Sequence, residues 1–412
     1  MNKTEHFEKS LTLFERASKV IPCGIYGHVT PAATVPGAFP YFARRAEGCR
    51  YWDVDGHEYI DFLCAYGPNV LGYNHPHVEE AAARVQRDGN CLNHPTEWSV
   101  LLAEKLTALV DFAAWAVFGK NGSDMTTWAI QVAREHTGRR KILKVKGAYH
   151  GSHPWCTPGH GGILPEDRAH ILEFSWNDPE DFTRALQEAG EDAAGVIISS
   201  FHHPIFGDSI LPDPAFLKLI EESCHHRGIV FILDDVRSGF RLHLGGSHRH
   251  FGFEPDLICF CKALGNGHPI SSALGREELR IAASRVFLTG SYWNSAAPMA
   301  ASLAVLEILE KENTLEHMRR QGERLFEGLR SAAKKNGVKI RCSGPPALPF
   351  ISFADETNFY RSQHFAAECI LRGVFFHPHH NWFMCGAHHD RDLDHTLRAA
   401  DEAFASVKKH FS

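Results

Sequence analysis

The feature that most constrains the fold of this 412-residue chain is a repeated alternation of β-rich and helical segments in its middle. From about Trp98 onward, the runs AWAVFG, KILKV, GVIISS, IVFILDD and DLICFC alternate with apolar helical patterns such as DMTTWAIQVAREHTG and PAFLKLIEESCHHRG. Strand and helix repeated in this way predict an α/β fold, a mostly parallel sheet with helices on both faces. Ligands of such sheets bind at the carboxyl ends of the strands, so the residues that follow each strand are the first candidates for a site.

The segments on either side of this region have different patterns. Near the N-terminus, YWDVDGHEYIDF contains an Asp-Gly turn between two short β-rich runs, which predicts a hairpin. Beyond Ala296, long helices, short strands and a closing helix from about Asp390 predict an α+β region. We therefore expect a large domain at 71–295 and a small domain at 296–412, with an N-terminal segment at 1–70 packed against the small one.

Composition excludes several classes of function. With 44% hydrophobic and 22% charged residues and a net charge of -6, the chain has no basic surface suited to nucleic acid. No apolar run approaches the roughly 18 residues of a membrane span, and the N-terminal sequence lacks the features of a signal peptide, so we expect a cytoplasmic protein. The 11 cysteines are scattered without CxxC pairs, and the histidine clusters lack a ligand frame, so we expect neither disulfides nor a metal site.

Two stretches at predicted strand ends carry groups that would suit an anion and a cation. Asn121, Gly122 and Ser123 lie between a strand and a helix, where free backbone N–H groups hold phosphate; an ordinary helix cap is the alternative. Asp234 and Asp235 end a strongly apolar strand, and a carboxylate there is costly unless something cationic meets it; a cap to the next segment is the alternative.

Lys262 follows the next strand, 28 residues after Asp234 (262 − 234). A solvated strand end is one interpretation of this lysine. If it is partly desolvated instead, its charged form is disfavoured, and the free amine can form an imine with an aldehyde. A phosphate cradle, a carboxylate and an amine in this order describe a site for pyridoxal 5'-phosphate (PLP), with the carboxylate on the ring nitrogen.

The chain also resembles the class III (subgroup II) PLP-dependent aminotransferases, in the branch that includes glutamate-1-semialdehyde aminomutase. The resemblance runs from about Phe14 to the C-terminus and rests on ERASKVIPCG, YWDVDGHEYIDF, GPNVLGYNHP, HPTEWSVLLAEKL, KNGSDMTTWAIQVAREHTGRRKIL, GAYHG, DDVRSGFR, PDLICFCKALGNGHPISSALG and GAHHDRDLDHTL. It implies the fold-type I architecture, with a smaller α+β domain built from the N-terminal segment and the C-terminal part. It also implies a homodimer with active sites at the subunit interface.

The resemblance implies roles for individual residues. Lys262 stands at the Schiff-base position, Asp234 at the partner of the ring nitrogen, and Tyr149 at the stacking position on one ring face. These three are the expected catalytic residues. Val236 would pack on the other ring face, and Ser291 stands where the family has a threonine that reaches the phosphate of the neighbouring subunit. The expected cofactor-binding residues are Asn121, Gly122, Ser123, Tyr149, His150, Asp234, Val236, Lys262 and Ser291.

Departures from the family pattern lie where the substrate would bind. Pro31 stands where the aminomutase branch has an arginine that grips the substrate carboxylate, which makes aminomutase activity doubtful. Arg44 and Arg45 are nearby alternatives, or else surface residues. The remaining changes bring in Arg237, two serines at 199–200 and two histidines at 202–203.

We therefore expect an aminotransferase that moves an amino group between small-molecule amine and carbonyl substrates through Lys262 and pyridoxamine phosphate. The alternatives are an aminomutase, an epimerase or an elimination lyase with the same cofactor, and a catalytically silent scaffold of the same fold. The changed pocket favours a polyfunctional amine, an amino sugar or an intermediate of specialised metabolism over a simple α-amino acid. The loop at 151–167 is either a lid or an ordinary surface loop.

Overall fold

The computed structural model describes residues 6–27, 38–204, 207–354 and 356–411. Pro31 therefore lies outside the described residues. The helices are α1 Glu8–Ala17, α2 Pro76–Asp88, α3 Glu97–Leu109, α4 Gly122–Thr137, α5 Pro179–Ala189, α6 Pro214–Arg227, α7 Ser247–Phe251, α8 Arg280–Arg285, α9 Ala296–Lys311, α10 Thr314–Lys335, α11 Tyr360–Ile370 and α12 Asp390–His410. The strands are β1 Ala43–Glu47, β2 Arg50–Asp53, β3 Glu58–Asp61, β4 Trp115–Gly119, β5 Lys141–Val145, β6 Ile171–Phe174, β7 Ala193–Ser199, β8 Val230–Asp234, β9 Leu257–Phe260, β10 Ser271–Gly275, β11 Ile340–Ser343, β12 Phe350–Phe353 and β13 Val374–Phe375.

A seven-stranded sheet forms the centre of the described structure, in the order β4-β10-β9-β8-β7-β5-β6. Only β10 runs against its neighbours, and the other strand pairs are parallel. The central strand β8 is buried along its whole length, which is why its sequence is continuously apolar rather than alternating. The predicted α/β fold with a mostly parallel central sheet is confirmed.

The carboxyl ends of the parallel strands lie at one edge of this sheet. Strand β4 leads there into α4, β5 leads into Tyr149 and His150, β8 ends on Asp234, and β9 is followed two residues later by Lys262. Residues far apart in sequence are thus brought to one place by the parallel topology, as expected for an open α/β sheet.

A second sheet joins the two ends of the chain. It has the order β1-β2-β3-β13, with the predicted hairpin of β2 and β3 antiparallel and β13 parallel to β3. Val374 of β13 pairs with Ile60 of β3, so the N-terminal and C-terminal parts form one smaller α+β unit. The exact boundaries at 70 and 295 stay a prediction.

Helices cover both sheets. Helix α9 is buried over most of its length and packs against α2 and α3, while α12 packs against α10 and α11. Within the described residues, no helix combines the length and the apolar character that crossing a membrane requires. The same residues contain no cluster of three or more His, Cys, Asp or Glu side chains placed to bind a metal ion.

Candidate active site

A cavity of about 300 Å³ opens at the carboxyl edge of the central sheet. Its walls include eight of the residues predicted to bind a cofactor: Asn121, Gly122, Ser123, Tyr149, His150, Asp234, Val236 and Lys262. Ser291 is not among the lining residues. It is exposed, and its backbone carbonyl accepts a hydrogen bond from Cys91 Sγ at 3.1 Å. Its predicted contact is with a neighbouring subunit, so this role stays a prediction.

Lys262 enters the cavity from the turn that follows β9. Its φ of 46° is unusual for a residue other than glycine, and such backbone conformations are often kept at functional sites. The amine Nζ lies 5.8 Å from the centroid of the Phe383 ring. Burial, and then the charge of nearby Arg237, lower the pKa of Lys262 to about 7. A large fraction of this amine is therefore unprotonated and nucleophilic near neutral pH.

The turn after Lys262 is fixed by a buried asparagine. Asn266 Oδ1 accepts the N–H of Leu71 at 2.8 Å, and its Nδ2 donates to the carbonyl of Gly72 at 2.9 Å. Asn266 and Gly267 have φ values of 45° and 101°, which Asn and Gly adopt at low cost. The Gly-Asn-Gly sequence thus holds the lysine by tying its turn to the segment before α2.

Asp234 is buried at the end of β8 and is held by two hydrogen bonds. His150 Nδ1–H donates to Asp234 Oδ2 at 2.7 Å, and the N–H of Val236 donates to Oδ1 at 3.2 Å. His150 is itself buried, and its carbonyl accepts a hydrogen bond from Thr126 Oγ1 at 2.7 Å. The sequence placed His150 beside the cofactor without indicating that it orients the carboxylate.

The adjacent acid Asp235 points away from the cavity and has a different task. Its oxygens accept the N–H of Ser247 at 2.7 Å and the hydroxyl of Ser247 at 2.5 Å, at the start of α7. Burial raises the pKa of Asp235 to about 7. Of the two neighbouring acids, Asp234 lines the cavity and Asp235 holds a structural turn.

The start of α4 forms a cradle for an anion. Asp124 Oδ2 accepts the N–H groups of Lys120 and Asn121 at 3.0 and 2.8 Å, which fixes the turn between β4 and α4. A Cβ atom on Gly122 would lie 2.9 Å from both γ carbons of Val236, so only glycine fits there without a shift. Ser123 Oγ accepts the N–H of Ser152 at 3.0 Å and lies 3.5 Å from Ser152 Oγ.

Lys120 is a lining residue that the sequence interpretation missed. Its Nζ is buried and has no hydrogen-bond partner among the described residues. Burial lowers the pKa of Lys120 to about 8. An ammonium group beside the cradle of Asn121, Gly122 and Ser123 is suited to hold a phosphate. A lysine directly after a strand is usually solvated, which is why Lys120 was not predicted to bind the cofactor. The only signal in the sequence was its position immediately before Asn-Gly-Ser.

The residues that depart from the family pattern divide between two cavities. Arg237 and Ser199 line the cavity of Lys262. Arg44 and Arg45 lie on the exposed strand β1 and line a second cavity of about 570 Å³, where the Arg45 guanidinium stacks 3.7 Å above the ring of Trp52. Neither of these two arginines reaches the lining of the Lys262 cavity in the described structure.

The loop at 151–167 is anchored at its start. Trp155 is buried and donates from Nε1 to Thr127 Oγ1 at 2.9 Å, while Gly159 to Gly162 are exposed. Arg168 Nη2 donates to the carbonyl of Thr157 at 2.6 Å and holds the far end. Whether this loop closes over the cavity stays an open prediction.

The cavity fits PLP group by group. Lys262 offers the amine for the aldehyde, Asp234 offers an oriented carboxylate for the ring nitrogen, and the cradle with the unpartnered Lys120 Nζ offers donors for the phosphate. The fold and these side chains together define a PLP-dependent enzyme of the transferase fold.

The chain belongs to the class-III aminotransferase family, whose sequence pattern it matches over residues 32–384. It is 42% identical to the aminopentol aminotransferase of Sphingopyxis macrogoltabida over 97% of this chain and 94% of that protein. It is 32% identical to a glutamate-1-semialdehyde 2,1-aminomutase of Syntrophobacter fumaroxidans, over 98% of both chains.

Among solved structures, the PLP-bound FumI protein of Sphingopyxis sp. MTA144 superposes with a TM-score of 0.96. It shares 42% identity, covering 98% of this chain and 97% of that one. The predicted family, cofactor and aminotransferase activity are thereby confirmed, since the aminotransferase relative is closer than the aminomutase.

Proposed function

We propose that this PLP-dependent aminotransferase takes its amino group from a polyfunctional aliphatic amine, such as an aminopentol, rather than from a simple α-amino acid. The observation that carries the proposal is the second cavity described above, which has seven Phe and Tyr side chains among its lining residues. The 42% identity to an aminopentol aminotransferase agrees with it.

Residues of one short segment before α2 contribute to the lining of both cavities. Ala65 and Tyr66 line the second cavity, whereas Pro68 lines the Lys262 cavity. The Tyr66 ring lies 5.1 Å from the ring of His380, and the charge of Lys262 contributes to the low pKa of that histidine. An amine whose nitrogen reaches Lys262 would extend its chain over this segment into the aromatic cavity, where apolar burial stabilises it.

Bound PLP supplies the aldehyde that takes up the amino group and a ring that withdraws electrons from the reacting carbon. Lys262 Nζ, once free, removes the proton from the amine-bearing carbon of the substrate, for which a pKa near neutral is suited. Asp234, oriented by His150, would keep the ring nitrogen of the cofactor protonated. Gly122, Ser123 and Lys120 would hold the phosphate end of the cofactor.

The proposal includes a homodimer with a cytoplasmic location. Ser291 is exposed in the single chain and stands at the position that the resemblance assigns to the phosphate of the neighbouring subunit. Size measurement by light scattering tests the dimer. Loss of PLP affinity in Ser291→Ala, with the dimer intact, is the expected sign of the contact across the interface.

A donor series tests the substrate class. The PLP-loaded enzyme is mixed with 2-amino alcohols of increasing chain length, with L-alanine and L-glutamate for comparison, and formation of pyridoxamine phosphate is followed by absorbance. We expect affinity to rise by roughly threefold or more per added methylene, because each buried methylene contributes about 0.8 kcal/mol. Conversion by the α-amino acids alone would contradict the proposal.

Two variants and three product assays sharpen this test. Phe42→Ala, in the wall of the aromatic cavity, should flatten the dependence on chain length, whereas Phe287→Ala, at an exposed ring, should not. Release of ammonia would indicate an elimination lyase, and inversion of the donor without a keto product an epimerase. Isomerisation of glutamate-1-semialdehyde without an external donor would favour the aminomutase.

A further inference from the structure

Arg237 is a cation that lines the Lys262 cavity and forms no hydrogen bond to Asp234. It lies three residues after Asp234 and directly after Val236, so its side chain starts beside the position of the cofactor ring. Among the described residues Arg237 forms no hydrogen bond and no ion pair. Its guanidinium is nevertheless close enough to Lys262 that it is the strongest influence on that amine after burial.

The charge of Asp234 raises the pKa of Arg237, but burial has the larger and opposite effect. Burial lowers its pKa to about 10, so the guanidinium stays charged at neutral pH. His202, His203 and His380 lie near it, and burial together with the charge of Arg237 lowers the pKa of each. The three imidazoles near this guanidinium are therefore neutral at neutral pH.

One of these histidines is held in a neutral form by its hydrogen bonds. The N–H of Asn381 donates to His203 Nε2 at 3.1 Å, so Nδ1 carries the proton and donates to Ser209 Oγ at 2.9 Å. His203 therefore cannot supply a positive charge here. Among the cations that line this cavity, Lys120 serves the cradle and Lys262 the chemistry, which leaves Arg237 for an anionic group of a substrate.

We propose that Arg237 binds the carboxylate of a 2-oxo acid, the amino acceptor of the second half-reaction. The inference rests on the proposed aminotransferase function and names one substrate class for the same site. A guanidinium has a planar pair of donors that matches a carboxylate, and a 2-oxo acid carries its carboxylate one bond from the reacting carbonyl. Arg237 thus takes the place of the arginine that the family pattern would have at position 31.

The acceptor half-reaction can be measured alone, without knowing the natural donor. The enzyme is loaded with pyridoxamine phosphate and mixed with pyruvate, glyoxylate or 2-oxoglutarate, and with propanal, an acceptor without a carboxylate. With pyruvate, the cofactor amine becomes an aldehyde and pyruvate becomes alanine, so the amino group and one hydrogen exchange for one oxygen. The absorbance change gives a rate and an apparent dissociation constant for each acceptor.

For Arg237→Gln we expect the apparent dissociation constant of the 2-oxo acids to rise about 10- to 100-fold, as for loss of a charged hydrogen bond. Propanal, used by the same variant, should change little and shows that the variant is folded. Arg237→Lys should recover part of the affinity. Oxamate, an unreactive analogue of pyruvate, should bind the parent and fail to bind Arg237→Gln in a calorimetric titration.

Equal losses with pyruvate and propanal would overturn the inference, because they would mean that Arg237 acts only through the pKa of Lys262. A parent enzyme that accepts propanal but none of the 2-oxo acids would overturn it as well. A parent enzyme that transfers nitrogen to no acceptor at all would instead contradict the aminotransferase function. The two failures are therefore distinguishable.

Discussion

His150 Nδ1 lies 2.7 Å from Asp234 Oδ2, and this bond joins the loop after β5 to the end of β8. We predict that His150→Ala weakens PLP binding and lowers turnover by about 10- to 100-fold, since a charge-assisted hydrogen bond is worth about 1.5 to 3 kcal/mol. Equilibrium dialysis and steady-state kinetics measure the two effects. His160→Ala, at an exposed position of the following loop, is the control and should match the parent.

The two adjacent acids should respond differently to the same substitution. Asp234→Asn removes the negative charge that would hold the ring nitrogen protonated, and we predict a loss of turnover of about a hundredfold or more. Asp235→Asn should keep turnover within the range of the parent, because Asp235 contacts Ser247 rather than the cavity. Comparable losses in both variants would contradict these roles.

Asp235 also predicts a pH effect on stability. Burial raises its pKa to about 7, so between about pH 4 and pH 7 the folded protein keeps a proton that the unfolded chain has released. Raising the pH through this window therefore destabilises the parent, and Asp235→Asn lacks this contribution. Denaturant titrations should show the stability of the variant relative to the parent increasing from pH 4 to pH 7.

Lys120 should bind the phosphate of the cofactor. We predict that Lys120→Met weakens PLP about 10- to 100-fold and leaves the affinity for pyridoxal, which has no phosphate, unchanged. Lys120→Arg should restore part of the PLP affinity, and Lys146→Met, at an exposed lysine, should have no effect. Equal weakening of PLP and pyridoxal would show that Lys120 serves structure alone.

Gly122 should tolerate no side chain. In Gly122→Ala the new Cβ would lie 2.9 Å from both γ carbons of Val236, and overpacking of this kind costs about 1 to 3 kcal/mol. We predict weaker PLP binding in Gly122→Ala and recovery when Val236→Ala is added. Gly161→Ala, which meets no atom within 4 Å, is the control.

Much of this fold follows from local sequence patterns. The apolar runs of β8 and β9 predicted buried parallel strands, and the residues after them, Asp234 and Lys262, lie in one cavity as the topology requires. The positions of these two residues directly after their strands were enough to predict that they lie together, because a parallel sheet places every strand's carboxyl end at the same edge.

Contacts between distant segments were not predictable in the same way. The bond of His150 to Asp234 spans 84 residues, and nothing in either local sequence indicates it. Lys120 was overlooked because a lysine after a strand is usually solvated, and its burial depends on the packing around it. The different tasks of Asp234 and Asp235 depend on the direction of each side chain, which the strand end alone does not fix.

The pKa of Lys262 gives the central site a measurable pH dependence. Since burial lowers this pKa to about 7, the reactive free amine should appear as the pH rises through 7. The rate at which the cofactor-free protein reacts with PLP should therefore rise with a midpoint near pH 7. A midpoint near the ordinary lysine value of about 10.4 would place the reactive amine outside the desolvated cavity.

The most direct test of the whole account is to reduce the PLP-loaded protein with borohydride and map the modified peptide by mass spectrometry. The account predicts one pyridoxyl group per chain, on Lys262, and none on Lys262→Ala treated in the same way. Modification of another lysine, or an equal yield from Lys262→Ala, would contradict it.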